Sequence, residues 1–353
     1  MNFQQRFDQF DKFYLYGATP AAEATIELLQ SLSKQIIGFI DRSEDKQAYP
    51  FMGYPVFSPR AFFHQHESKA GVVIVSAYQM EIANLLAQNG IAESCIFPQL
   101  DDMFFPTYRN VYHDNPWLDR VYAALENEEE RAYFSSWRSF KRTGNLAELT
   151  PMQSIHKQYD HGDWIKSIAT GGVAVDVGAY DGVSSIEFAE TGRFSKVVAV
   201  EPFINNYNEL CERVNTANLG LPIETHQIAI GARRETIWQE TADVTSRATL
   251  NGASGSADQT GEKIEVFPLD DLAIDDISTI KVDIEGYELD FLSGAISTLS
   301  RHKPHLAISA YHHHSHAQKI AEFLFSQFDN VQIRVGHHPL AVYELEYYVS
   351  FDK

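Results

Sequence analysis

Cysteine is nearly absent from this sequence. Cys95 and Cys211 lie 116 positions apart, and no CxxC occurs in the 353 residues. That excludes a disulfide framework and a cysteine zinc site, and it suits a reducing compartment, so a cytoplasmic location is expected. Basic residues are scarce as well, 28 Lys plus Arg against 48 Asp plus Glu, for a formal net charge of −20. Residues 1–165 carry 14 basic and 21 acidic groups and residues 166–353 carry 14 and 27, so the deficit runs through both halves. A protein that neutralises phosphates along a duplex needs a basic surface, as does one that docks on anionic lipid, so neither nucleic acid nor a membrane surface is an expected partner. Long apolar runs are missing too, and none approaches the roughly 18 residues of a membrane span. The opening MNFQQRFDQFDKF has neither a basic stretch nor an apolar core, so no secretory signal is expected.

What is present fits a globular protein. Hydrophobic residues make up 44% and aromatics 12%, enough to build cores and to exclude a largely disordered chain. At roughly 100–200 residues per domain, the length predicts two domains. Over residues 1–100, strands are expected at 13–16, 35–40, 71–76 and 94–97, with helices at 21–32 and 81–87 and a loop at 49–55. Strands separated by helices imply parallel pairing, hence a small α/β domain. Residues 101–165 lack that alternation. Trp117, Val121, Leu125, Tyr133, Phe134 and Trp137 recur at helical spacing around Glu128-Glu129-Glu130, which predicts a helical connector broken near Gly144 and Pro151, with the acidic run on a solvated face. Over residues 166–353 seven strands are expected, at 172–177, 196–200, 223–230, 280–284, 305–310, 331–335 and 342–349. The last two would form an antiparallel hairpin about His337-His338-Pro339, and the Gly/Ser/Ala/Thr-rich 247–260 would be a loop. The fold class expected is α/β: a seven-stranded doubly wound sheet preceded by a smaller Rossmann-like domain.

Three stretches can carry chemistry. In the first, an apolar strand ends at Asp176-Val177 and Gly178-Ala179-Tyr180-Asp181-Gly182 opens a helix. Glycine there lets a ligand approach the backbone, and a helix start offers unpaired N–H groups. The next strand ends in Glu201-Pro202, where a carboxylate can accept from two ribose hydroxyls. The glycine spacing is not GxGxxG, and Asp176 and Asp181 would repel a pyrophosphate, whereas a cationic sulfonium on an adenosine would be favoured beside them. A turn between strand and helix that binds nothing is the plainer alternative.

The second stretch is Ile280-Lys281-Val282-Asp283-Ile284-Glu285-Gly286-Tyr287-Glu288. On a strand, Lys281, Asp283 and Glu285 share one face, and carboxylates at a central strand's carboxyl end sit where open α/β sheets bind ligands. The alternative that needs no ligand pairs Asp283 with Lys281 and lets Glu285 cap the next helix, expected over 288–299. In the third, Tyr311-His312-His313-His314-Ser315-His316 belongs to a region after residue 301 that holds eight of the fourteen histidines. Consecutive histidines on an extended chain point opposite ways, so the expected contributor is His312 alone, as base or substrate contact, and no dedicated metal centre is expected.

The pieces VDVGAYDGVSS, VVAVEP, QIAIG, LDDL, IKVDIEGYELDFLSGA and AISAYHH, in this order over about residues 170–350, resemble the FkbM-type S-adenosylmethionine-dependent methyltransferases. The resemblance implies transfer of a methyl group to a hydroxyl, often on a sugar of a glycan or a secondary metabolite, so a glycan or small-molecule acceptor is the expected partner. It implies that Asp176, Gly178, Ala179, Tyr180, Asp181 and Gly182 hold the methionine end of the cofactor. Glu201 and Pro202 would lie at the ribose, Phe203 and Ala229 would flank adenine, and Asp283, Glu285 and His312 would face the acceptor. Some sugar methyltransferases use a divalent ion, and the last three residues offer ligands for one as a secondary hypothesis.

The amino-terminal stretch Tyr14-Leu15-Tyr16-Gly17-Ala18-Thr19-Pro20, with Asp41 closing the second strand, resembles small nucleotide-binding-like domains attached to sugar-modifying enzymes. Only Gly17 remains of the expected glycines. Two rival functions follow: a nicotinamide-dependent oxidoreductase working from this half on a nucleotide-sugar, although YxxxK occurs nowhere, and a binding protein that keeps a methyltransferase fold without turnover.

Overall fold

The computed structural model describes residues 2–65, 69–100, 115–152, 158–159, 164–239, 261–336 and 344–351. The chain divides into two compact units, residues 1–155 with 337–344, and residues 156–336 with 345–353.

The first unit is built on five parallel strands, β1 (Lys12–Tyr16), β2 (Gln35–Ile40), β3 (Val56–Phe57), β4 (Ala70–Ile74) and β5 (Ile96–Phe97), in the order β3-β2-β1-β4-β5. Every residue of β4 is buried, the pattern of a strand covered on both faces. Phe7, Phe10, Phe13 and Phe97 pack edge and face about one another. The buried Arg6 lies over the Phe97 ring and donates to the carbonyls of Ile96 and Gly144, which satisfies a charge that burial alone would penalise. The helices Pro116–Ala124 and Glu128–Thr143 fall in this unit. Glu128, Glu129 and Glu130 occupy the first turn of the latter behind the cap Asn127, where negative charge complements the helix dipole. Glu130 is buried there, against the solvated face expected of the run. Gly144 ends this helix in a left-handed conformation.

The second unit holds β6 (Val173–Val177), β7 (Lys196–Val200), β8 (Ile223–His226), β9 (Ala229–Ile230), β10 (Glu235–Gln239), β11 (Glu262–Phe267), β12 (Ile277–Val282), β13 (His305–Ser309), β14 (Val331–Gly336) and β15 (Glu346–Phe351). Seven of them form one sheet in the order β14-β15-β13-β12-β6-β7-β8, with β15 antiparallel to both its neighbours. The α/β class, with a seven-stranded sheet and a smaller α/β unit, is as expected; β3 adds a fifth strand to the four expected over residues 1–100. The order reverses between β6 and β12, and ligands of open α/β sheets bind beyond the strand ends at such a point.

Three local expectations are corrected. The strand expected over 223–230 is two, because β8 pairs with β7 while β9 pairs with β11 in a separate sheet, β10-β11-β9. The strand expected over 280–284 stops at Val282, and Glu285 takes a positive φ of 51°, which no strand contains. The helix expected over 288–299 is Glu288–Ser293 followed by Ile296–His302, because Gly294 packs on the backbone of Gly231 and Pro268 and the chain turns there. The turn expected at 337–339 and the loop expected over 247–260 lie outside the described residues.

Candidate active site

Two loops meet at the reversal point. After β6, the turn 178–182 carries positive φ at Gly178 (81°), Tyr180 (49°) and Gly182 (86°) before the helix Val183–Glu190 begins. A Cβ at residue 178 would overlap the carbonyl oxygen of Asp283, so only glycine lets this turn lie on the chain leaving β12. The N–H groups of Gly178 and Ala179 both donate to Val200 O at 3.0 Å, which ties the turn to the end of β7.

Asp176 is placed beneath this turn rather than in its mouth. It is fully buried, accepts from Ser184 Oγ at 2.7 Å and Ser185 Oγ at 2.6 Å, and pairs with Lys281 Nζ at 3.0 Å. Lys281 therefore pairs with Asp176 and not with Asp283, its neighbour two residues on. Burial opposes the Lys281 charge, but Asp176 and then Asp283 outweigh it and hold the ammonium above its ordinary pKa. Asp181 lies at the outer side, where Arg213 pairs with its carboxylate at 2.7 Å and Val183 N–H donates to it at 3.2 Å. Tyr180 is the exposed member of the turn.

Glu201 closes the corner. It is buried, and its carboxylate accepts from Tyr180 N–H at 3.0 Å, Phe203 N–H at 3.1 Å and Asn206 Nδ2 at 3.2 Å. Burial pushes the Glu201 carboxyl up to about 7 against these donors. Pro202 continues into Phe203, which joins Ala229, Ile237, Ile264 and Val266 in one apolar cluster. The structure thus brings Glu201, Phe203 and Ala229 to one corner: a carboxylate able to accept from a vicinal diol beside an apolar wall suited to a flat ring. Sequence reasoning missed Asn206, and it missed the β10–β11 hairpin that supplies Ile237, Ile264 and Val266 to the wall.

Across the turn stands His312. Its Nε2 lies 3.3 Å from Asp283 Oδ1 and 3.4 Å from Glu285 Oε2, and its Nδ1 bonds Glu288 Oε1 at 2.7 Å. The three residues expected to face an acceptor do converge, although Glu285 arrives through a left-handed turn rather than along a strand face. Glu288 is fully buried, also accepts from the N–H groups of Ile284 and Gly286 at 3.3 Å, and pairs with His316 Nδ1 at 3.0 Å. Burial works against both charges of the His312–Glu288 pair, yet hydrogen bonding and attraction win: Glu288 is held well below the ordinary carboxylate range and His312 is raised to about 9. Glu288 lay unassigned in the most specific stretch of sequence, five residues after Asp283. Tyr159 left no such signal. Its hydroxyl donates to Asp283 Oδ2 at 2.6 Å across 124 positions.

Ligand atoms of Asp283, Glu288 and His312 lie within 4.8 Å of one another, close enough to hold a metal ion. Glu288 and Asp283 face opposite nitrogens of one imidazole, however, so what joins these three is a shared ring between carboxylates.

Residues 176–334 match the family model described as Methyltransferase FkbM domain. Among solved structures, the chain is similar to a methyltransferase FkbM from Methylobacillus flagellatus KT, with a TM-score of 0.72 and 20% identity over 96% of this chain and 90% of that one. A second similarity, to an rRNA methylase from Streptococcus thermophilus, has a TM-score of 0.38 and 11% identity over 57% of this chain and 99% of that one. The comparison with curated proteins gave no match. The matched stretch carries both loops of the site, and the solved methyltransferase structure shares the fold of the whole chain.

Proposed function

We propose that the protein is an S-adenosylmethionine-dependent O-methyltransferase acting on a hydroxyl of a sugar, in a glycan or a secondary metabolite. The observation that carries this reading is the contact between the Gly178 turn and the backbone of Asp283, which sets a cofactor-type corner beside a proton-accepting cluster. The residues present suit the cofactor. Glu201 is a buried carboxylate whose raised pKa reports a charge short of donors, and two ribose hydroxyls are donors. Phe203 and Ala229 offer an apolar wall for adenine, and residues 178–182 offer backbone groups to the methionine end. S-adenosylmethionine supplies a methyl group on a sulfonium, with a neutral thioether as leaving group.

The protein's own task is then to align the acceptor oxygen, exclude water and take one proton. Hydrogen bonding and attraction to Glu288 raise His312 to about 9 against its burial, which favours the imidazolium at neutral pH and leaves the proton to another acceptor. Asp283 is assigned as the base, with the Tyr159 hydroxyl on its Oδ2 and His312 Nε2 3.3 Å from its Oδ1. As the acceptor O–H proton passes to Asp283, the charge gathering on the oxygen is stabilised by the His312 imidazolium. Glu285 orients a second hydroxyl, as a sugar would present. Asp176 acts from beneath as a positioning residue for the turn.

Calorimetric titration with S-adenosylmethionine, S-adenosylhomocysteine and NAD in parallel tests the reading. Binding of the first two, lost in Glu201→Ala, is the expected result. Binding of NAD alone would move the chemistry to the amino-terminal unit and overturn it. Cofactor binding with no transfer to any sugar tried, and none lost in Asp283→Asn, would favour the non-catalytic alternative.

A further inference from the structure

One buried ion has no part in the chemistry above. Lys281 is all but inaccessible, and its ammonium looks three ways: it donates to Gly178 O at 2.5 Å, pairs with Asp176 Oδ1 at 3.0 Å, and stands 5.3 Å from the centroid of the Tyr159 ring. The first two contacts belong to the cofactor turn. The third belongs to the acceptor side, because the Tyr159 hydroxyl is the donor on Asp283 Oδ2. Tyr159 itself is held in a left-handed conformation, φ 63°, with its N–H donating to Tyr348 Oη at 3.1 Å. A non-glycine residue persists in that region only when its surroundings fix it. A carboxylate on its own rotates about its last torsion in a broad, roughly two-fold well, so which oxygen of Asp283 faces the acceptor is decided by what holds the other. Tyr159 lies 17 positions before the stretch that matches the family model.

We propose that Lys281 and Tyr159 are positioning residues that join the cofactor turn to Asp283, so that filling the turn fixes the carboxylate on the acceptor side. The proposal rests on the cofactor reading given above. The chain of contacts is short: Gly178 carbonyl, Lys281 ammonium, Tyr159 ring face, Tyr159 hydroxyl, Asp283 Oδ2. A cation over a ring face is attracted by the ring's quadrupole, and here it lies in a dry site where that attraction is least screened. A ligand that settles the Gly178 carbonyl therefore also settles the ammonium, and through it the ring.

Backbone hydrogen exchange of the full chain, with and without S-adenosylhomocysteine, reads this coupling without needing the acceptor. At a concentration of about 100 times Kd, amides whose opening requires the ligand to leave slow by up to about 100-fold. In the wild type, slowing is expected in the turn 176–190, in the peptide containing Tyr159 and in 283–288. Tyr159→Phe deletes a single oxygen. It should keep the slowing at 176–190, leave Kd within about threefold of wild type, and lose the slowing at 283–288. Lys281→Met combined with Asp176→Asn removes both buried charges together, and it should lose the slowing at both distant sites. A purely structural role would loosen these segments equally with and without ligand and leave the difference untouched. Slowing at 283–288 that survives in Tyr159→Phe would overturn the proposal, since the direct backbone contact between the turn and Asp283 would then carry the effect. Should the double variant not fold, Tyr159→Phe decides alone. A wild type that does not bind S-adenosylhomocysteine would overturn the cofactor reading, and this proposal with it.

Discussion

Glu201 combines deep burial with hydrogen bonds from Tyr180, Phe203 and Asn206, and burial prevails, leaving its carboxyl at about 7. Only the ionised form accepts from both ribose hydroxyls. Protonation below about pH 7 should therefore weaken S-adenosylmethionine binding, about tenfold in Kd per pH unit once the acid form dominates. In Glu201→Gln the affinity should be lower and flat across the same range; calorimetry from pH 5.5 to 8.5 (roughly one unit and a half either side of the titration) checks both. His312 gives the opposite limb. Its pKa is raised, so its charge is complete below the ordinary imidazole range and is lost as the pH climbs through about 9. With Asp283 as base, kcat/KM for the acceptor at saturating cofactor should be level through neutral pH and fall above about 9. A histidine base would instead give a rise of unit slope up to that point. Asp283→Asn should cost about 10²–10⁴-fold in kcat, the usual weight of a general base, while cofactor binding persists.

At the level of elements, the site depends on one strand-to-turn passage touching another. Gly178→Ala puts a methyl group into the carbonyl of Asp283 and a side chain at a φ of 81°. The left-handed conformation alone costs about 1–2 kcal/mol, and the overlap forces the two loops apart. The variant should lose S-adenosylmethionine binding and show a lower Tm in a thermal melt with and without ligand, the ligand no longer raising it. Much of this geometry was legible in advance. Strands β2 and β7 matched their apolar runs residue for residue, and the motif after β6 announced a turn that only glycine permits. The break between β8 and β9 was not legible, because a continuous apolar run does not say which sheet each half will join. The β10–β11 hairpin was read only as flanks of a loop. The break at Gly294 depends on the backbone of Gly231, 63 positions earlier. Asp176 was expected at the ligand from its place at the strand end before the glycine turn and from the family resemblance; that Lys281 pairs with it from the adjacent strand is a tertiary contact no local pattern carries. Tyr159 reaches Asp283 through tertiary contact alone, which no local pattern encodes.

Across the whole molecule, charge sets which partners can approach. With a formal net charge of −20 spread over both halves, the protein should not retard a labelled duplex or a single-stranded RNA in a gel at low ionic strength, where repulsion between like charges reaches furthest. Binding that weakens steeply with added salt would reveal a basic patch and overturn that expectation. No helix among the described residues is long and apolar enough to cross a membrane. The same molecule carries fourteen histidines, and a reagent that acylates neutral imidazole meets them all at once. Such a reagent needs a ring nitrogen with a free electron pair. The buried Glu288 keeps His312 in the one protonation state that has none, so the most important imidazole of the site should also be its least reactive. Loss of that single carboxylate would turn the cation beside the reacting oxygen into a nucleophile.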